Sequence, residues 1–187
     1  MSKNPNLDRL AFISVRADGP DERVNNLLEI SAVVTDSSLR PFDGGMSVVI
    51  EPDTPGWVGD LDPEVLRIHT ESGLLTDVLY GDSTSPGDAD RTVAAYLDQH
   101  RGGVPLVLAG DPITSVRSFL RVGAPATFAR LDARSLDVGS VALFAERVLT
   151  MEHPVLGCGG SCRGLQGVQC LVDAARALRY CFWGGCG

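Results

Sequence analysis

Residues 10–36 read LAFISVRADGPDERVNNLLEISAVVTD, and the reading of this stretch decides the fold. Two runs, 10–15 and 27–35, are rich in Val, Ile, Leu and Phe, and polar, Gly and Pro residues separate them. Apolar, β-branched runs bounded by turn formers read as strands, so the stretch is a strand, a loop and a second strand. A third strand, 47–51, follows the Asp43-Gly44-Gly45 turn. Three successive strands in a meander predict an antiparallel start to the sheet, and the text after them is mostly helical.

Working outward, 62–80 carries Leu66, Ile68, Leu74, Leu75 and Val78 with a break at Gly73, which predicts two short helices. A Gly/Ser/Pro loop spans 82–88, and the acids of 82–90 lack fixed ligand spacing, so they read as solvated. The 88–100 segment is an amphipathic helix with Val93, Tyr96 and Leu97 on one face. A buried strand is expected at 105–109, a helix at 113–122 anchored by Phe119 and Leu120, a last strand at 133–136 and a helix at 137–148. Leu165, Val168, Val172, Ala175, Leu178 and Phe182 recur at helical spacing, so 165–182 is a closing helix with an apolar face. Trp57 follows Pro55-Gly56 and reads as a packing residue rather than a base-stacking platform.

The chain has 187 residues, enough for one domain with a full core. The expected division is a frayed start at 1–8, one domain over 9–183 and a Gly-rich tail at 184–187. No apolar run has the length of a membrane span and no charged-then-apolar leader opens the sequence, so the expectation is a cytoplasmic protein with no membrane partner. A net charge of −8 opposes binding of long nucleic acid, which depends on basic side chains neutralising phosphates, but leaves room for a nucleotide pocket with a few local cations. Lys3 is the single lysine beside many arginines, a composition that suggests GC-rich bacterial coding.

Several segments together resemble the oligoribonuclease branch of the DEDDh 3′–5′ exonucleases, from about residue 10 to about residue 180. That family opens on a Trp-Ile-Asp-Leu-Glu-Met-Thr-Gly strand, followed ten residues past the Gly by Glu-Ile-Ala and Val-Thr-Asp. Gly19 to Glu29 keeps the spacing, and Leu28-Glu29-Ile30-Ser31-Ala32-Val33-Val34-Thr35-Asp36 keeps most of the text. His69-Thr70-Glu71-Ser72-Gly73-Leu74 matches a segment that flanks the family's substrate cleft, and Leu136-Asp137-Val138 matches its Leu-Asp-Val, whose Asp is not a metal ligand. The resemblance implies an α/β, RNase H-like exonuclease fold: a central mixed sheet, its first three strands antiparallel, flanked by helices. It also implies a homodimer.

The family's chemistry does not carry over with its text. DEDDh enzymes hold two metal ions with four carboxylates and use a His as general base, because phosphodiester hydrolysis needs charge stabilised on both the attacking and the leaving oxygen. The two acids of the first motif are replaced by Ser14 and Arg16. In Gly110-Asp111-Pro112-Ile113-Thr114-Ser115-Val116-Arg117-Ser118-Phe119-Leu120, Val116 stands where the third acid belongs. Counting back from Ala177-Leu178-Arg179 places the His position on Leu165 and the last acid on Cys170. Mg²⁺ and Mn²⁺ require hard oxygen ligands, so nuclease activity is not expected and no cofactor is implied.

What remains of the cleft admits several readings. Ser14, Arg16, His69, Asp111 and Cys170 form a candidate ligand site in which Arg16 replaces the metal charge and grips a small anion, such as a nucleotide, in a bidentate manner. In the competing reading Arg16 makes an internal salt bridge with Glu29 or Asp111 and the cleft is merely filled. Alternatively, Cys170 near a helix start is a nucleophile served by His69, His100 or His153; the plainer reading is a small buried thiol. Cys158, Cys162, Cys181 and Cys186 match structural zinc in number but flank the ends of one helix, with disulfides or free thiols as plainer alternatives; Cys170 and Cys181 stand roughly 16 Å apart along it. A last reading gives the chain an assembly role, with the apolar end Phe182-Trp183 seeking a neighbour.

Overall fold

The computed structural model describes residues 9–149, 162–180 and 182. Strands β1 (Arg9–Ala17), β2 (Leu27–Asp36) and β3 (Met46–Val49) form the antiparallel meander; β4 (Leu106–Gly110) and β5 (Leu131–Asp137) extend the sheet in parallel, in the order β3-β2-β1-β4-β5. The helices are α1 (Pro63–Glu71), α2 (Leu74–Tyr80), α3 (Pro86–His100), α4 (Ile113–Gly123), α5 (Pro125–Phe128), α6 (Val138–Arg147) and α7 (Gly164–Tyr180). Among the described residues no helix is long and apolar enough to cross a membrane.

Successive strand side chains point to opposite faces, and β1 and β2 bury both of theirs, which is why residues 10–15 and 27–35 read as nearly unbroken apolar runs. On one face Ala11, Ile13, Ile30 and Leu108 pack with Val93 and Leu97 of α3 and Phe119 and Leu120 of α4. On the other, Phe12, Val33 and Ala109 meet Ala142 of α6 and Val168, Val172 and Leu178 of α7. Trp57 packs with Leu28, Leu74 and Val78 in a smaller cluster, as a packing residue should.

Local signals place the helix starts. Asp62 accepts a hydrogen bond from the Glu64 amide ahead of Pro63, and Ser85 accepts from the Asp88 amide ahead of Pro86. A hydroxyl or carboxyl cap followed by Pro at the first helical position is a strong start, so α3 begins two residues before the expected 88. Gly73 at φ 76° separates α1 from α2.

Two expectations need correction. Asp90 does not belong to a solvated loop: it lies buried in α3, and its carboxylate accepts from the Ala126 amide at 2.8 Å and the Thr127 amide at 2.7 Å. It thereby caps α5, a helix too short to show periodicity in the sequence. The last strand is also longer than 133–136, running from Leu131 to Asp137.

Asp137 carries a double load at the end of β5. Its Oδ1 accepts from the Ser140 amide at 2.6 Å, and its Oδ2 from the Ile113 amide at 2.8 Å, so one carboxylate caps α6 and ties the start of α4 to it. Burial pushes its pKa up, but bonds from Ser140 and from the Ile113 amide prevail and hold it below the usual carboxylate range. The Leu-Asp-Val text therefore has a structural cause. Asp137→Ala is expected to cost about 1–3 kcal/mol of stability, read by urea unfolding at neutral pH; an unchanged midpoint would refute the double cap.

Candidate functional site

The alternation that directs Phe12 toward α7 places Ser14 and Arg16 on the same face, where the core gives way to polar groups. Their register partners are Ser31 and Glu29 on β2, and Ser31 pairs on with Ser47 of β3. Ser31 and Ser47 share a 2.8 Å hydroxyl contact. Glu29 is only 2 % exposed, and a carboxylate so placed must be neutralised or hydrogen-bonded. It accepts from the Gly164 amide at 2.9 Å and pairs with Arg163 Nη1 at 3.4 Å. Arg163 also pairs with Asp77 of α2.

Glu29 is thus committed to the start of α7. Arg16 instead donates to the Cys162 carbonyl, and no carboxylate among the described residues forms an ion pair with it. This corrects the expectation of an Arg16 salt bridge to Glu29 or Asp111. Arg16 lines a cavity of about 580 Å³ at the carboxyl end of β1, between α1 and α4, with His69, Asp62, Ser115 and Phe119 among its other walls. His69 is a buried wall residue, 4 % exposed; its Nε2 donates to the Ala17 carbonyl at 2.8 Å and its Nδ1 has no partner.

The remaining candidates are dispersed. Val116 is 3 % exposed and belongs to the apolar cluster over Ile13 and Phe119. Leu165 lies partly exposed against Gly45, whose Cβ position is 2.9 Å from Leu165 Cδ2. Cys170 is a partly buried free thiol, roughly 200° around α7 from the buried Val168, and it does not line the cavity at Arg16. Asp111 follows β4 and lies beside Gly139, where a Cβ would sit 2.4 Å from its Oδ1. Burial first, and then the charge of Asp137, push the Asp111 carboxyl up.

This set does not fit a pair of divalent cations. Ser14, Arg16, Val116 and Cys170, the residues the family resemblance aligns with its acids, offer a hydroxyl, a guanidinium, an isopropyl group and a thiol, none of them a carboxylate. Among the described residues no three His, Cys, Asp or Glu side chains gather into a cation site. The thiolate alternative is corrected in part: Cys162 is disulfide-bonded and is not a thiolate ligand. Cys158, Cys181, Cys186 and His153 lie outside the described residues. Among the described residues Cys170 has no His partner, since His69 bonds Ala17 and His100 pairs with Asp43 at 3.0 Å.

The sequence reading missed Arg163 and Asp77, which neutralise Glu29, and the cavity residues Asp62 and Ser115. Arg163 lies in Gly-rich text without periodicity, and an ion pair between β2 and residue 163 leaves no local mark. Glu29 itself was visible in Leu-Glu-Ile: an acid within a run buried on both faces requires a partner.

The architecture is that of an RNase H-like exonuclease. Exonuclease I from Methylocaldum szegediense superposes with a TM-score of 0.68 at 16 % identity, covering 92 % of this chain and 40 % of that one. The zinc-bound E. coli exonuclease I–ssDNA complex gives 0.69 at 12 % identity, again covering 92 % and 40 %. Such identities establish the fold alone.

Sequence likeness goes further. The oligoribonuclease of Tropheryma whipplei (strain Twist) is 32 % identical over 145 residues, 76 % of either chain. That of Streptomyces avermitilis is 35 % identical over 144 residues, 75 % of this chain and 69 % of the relative, and that of Corynebacterium efficiens 33 % over 141 residues, 75 % and 63 %. No protein-family model matches. The chain belongs to the oligoribonuclease family.

The raised carboxyl at Asp111 carries a signed consequence. A carboxyl raised on folding weakens the folded state as pH climbs past the unfolded value. Asp111→Asn is expected to raise Tm near pH 7 and to leave it unchanged near pH 3, where the wild-type group is already protonated. Equal gains at both pH values would contradict that origin.

Proposed function

We propose that this member of the oligoribonuclease family does not hydrolyse phosphodiesters and binds a small anion, a nucleotide above others, at Arg16 without metal. The observation that carries the reading is Arg16, aligned with a family acid position, which lines a cavity and whose guanidinium has no carboxylate partner among the described residues. A volume of about 580 Å³ lies within the ordinary range for small-ligand sites. Arg16 supplies a fork-shaped donor, Ser115 a hydroxyl, and Phe119 with Ile68 an apolar wall for a flat ligand body.

The net charge of −8 opposes long nucleic acid. A homodimer is the assembly the resemblance implies, and exposed Leu143 and Phe144 on α6 give it an apolar surface to bury. Cysteine chemistry draws no support from Cys170, which does not line the cavity and is bonded to neither described histidine.

Calorimetric titration of uridine 5′-monophosphate in the presence of EDTA tests the binding reading. Binding is expected to persist with the chelator and to weaken roughly 10- to 100-fold in Arg16→Ala, the loss of a charge-assisted hydrogen bond. Incubation with short RNA and Mn²⁺ is expected to leave the RNA intact. Metal-dependent cleavage, or affinity indifferent to Arg16→Ala, would overturn the proposal.

A further inference from the structure

We infer that a second cavity, beside the carboxyl-terminal half of α7, binds a medium-length acyl carboxylate: a straight hydrocarbon chain ending in an anion. This cavity shares no lining residue with the one at Arg16, so it stands whatever Arg16 binds.

It measures about 340 Å³ and lies between α6, α7, the end of β5 and the turn after β2. Leu39, Leu136, Val138, Val141, Leu178 and Phe182 supply apolar walls. Leu39, Val138 and Leu178 belong to the core on that face of the sheet, and Leu136 and Val141 pack against it. The walls are therefore continuous with buried hydrocarbon. Phe182, the apolar residue that follows α7, is 40 % exposed. Small-ligand sites are mostly apolar concavities of this size with a few polar groups that fix orientation.

The polar groups here are Ser37 and Arg179, and they stand together. Arg179 Nη1 donates to the carbonyl of Ser38 at 2.9 Å, which sets its guanidinium against the turn that carries Ser37. The turn itself is fixed from both sides. The Asp36 carboxylate accepts from the Ser38 amide at 2.8 Å and the Arg40 amide at 2.9 Å, and Arg176 Nε donates to the Leu39 carbonyl at 3.0 Å. Leu39 is held at φ 62°, a backbone conformation that leucine seldom takes, with its side chain buried. This end of the cavity is thus preformed.

Its charge is positive and unanswered. The acids near it in the chain are engaged elsewhere: Asp36 by backbone amides and Asp173 by Arg176. Arg179 is exposed and, among the described residues, pairs with no carboxylate. A guanidinium has five N–H donors, and a carboxylate matches its fork in geometry and charge. An acyl carboxylate complements both halves of the cavity. Its carboxylate takes Arg179 and the Ser37 hydroxyl, and its chain displaces water from Val141, Leu178 and Phe182. A bare phosphate gains nothing from those walls, and an uncharged alkane leaves Arg179 without its anion.

Calorimetric titration of decanoate, below its micellar range, into the full chain tests the site. One decanoate is expected to bind per chain. Octanoate, two methylenes shorter, is expected to bind roughly 15-fold more weakly, about fourfold for each methylene withdrawn from the walls. Decanol, which keeps the chain and lacks the anion, is expected to lose roughly 10-fold. Arg179→Ala is expected to bring decanoate to the level of decanol, to leave decanol unchanged and to melt as the wild type does. Equal affinity for decanoate and decanol, indifference to Arg179→Ala, or no decanoate binding overturns the proposal. Displacement of decanoate by uridine 5′-monophosphate would place it in the Arg16 cavity and also overturns it. Self-association seen by light scattering that excludes decanoate would assign these walls to a second copy of the chain, with the same consequence.

Discussion

Two like charges 4 Å apart repel by about 4 kcal/mol at the effective dielectric of a protein surface, and a divalent ion doubles that figure against a guanidinium. This constraint governs the carboxyl end of β1. The strand's alternation commits the side chain of residue 16 to the cleft, and that residue is an arginine. On the proposed reading, a cleft with such a cation built into it attracts anions and repels metal. Ser14 and Val116 add no charge to reverse the balance, and Val116 is buried among hydrocarbon.

The rest of the site follows from how the protein disposes of Glu29. A carboxylate buried this deeply requires a donor and a counter-charge, and it finds them in the Gly164 amide and Arg163. Arg163 reaches on to Asp77, so one guanidinium braces β2, α2 and the start of α7. Glu29 is satisfied from α7, and among the described residues Arg16 pairs with no carboxylate, its side chain donating to the Cys162 carbonyl instead. The fold of an RNase H-like exonuclease is retained because its cores, above and below the sheet, do not depend on the acids.

Much of this was legible in the order of residues. The meander, the parallel strands and the main helices follow from apolar runs, caps and periodicity, and the text around Glu29 and His69 carried the family. The expectation that the acids are replaced comes from counting, since Ser14 and Arg16 sit at the family's spacing from Gly19. What escaped is non-local. Asp90 looked solvated because its partners lie more than thirty residues onward, at Ala126 and Thr127. Cys170 is turned away from the buried side of α7, which a count along the chain does not reveal. The brace at Arg163 joins residues far apart in the chain, and Arg16 was expected to pair with the very carboxylate that Arg163 occupies.

Binding of Mn²⁺ itself addresses the central electrostatic claim most directly. Free Mn²⁺ gives a six-line electron paramagnetic resonance signal that diminishes when the ion is caged. The account predicts that adding the protein leaves that signal at full intensity up to about millimolar Mn²⁺, a level at which even weak biological cation sites fill. Loss of the signal with a stoichiometry of two ions per chain, restored by EDTA, would contradict it.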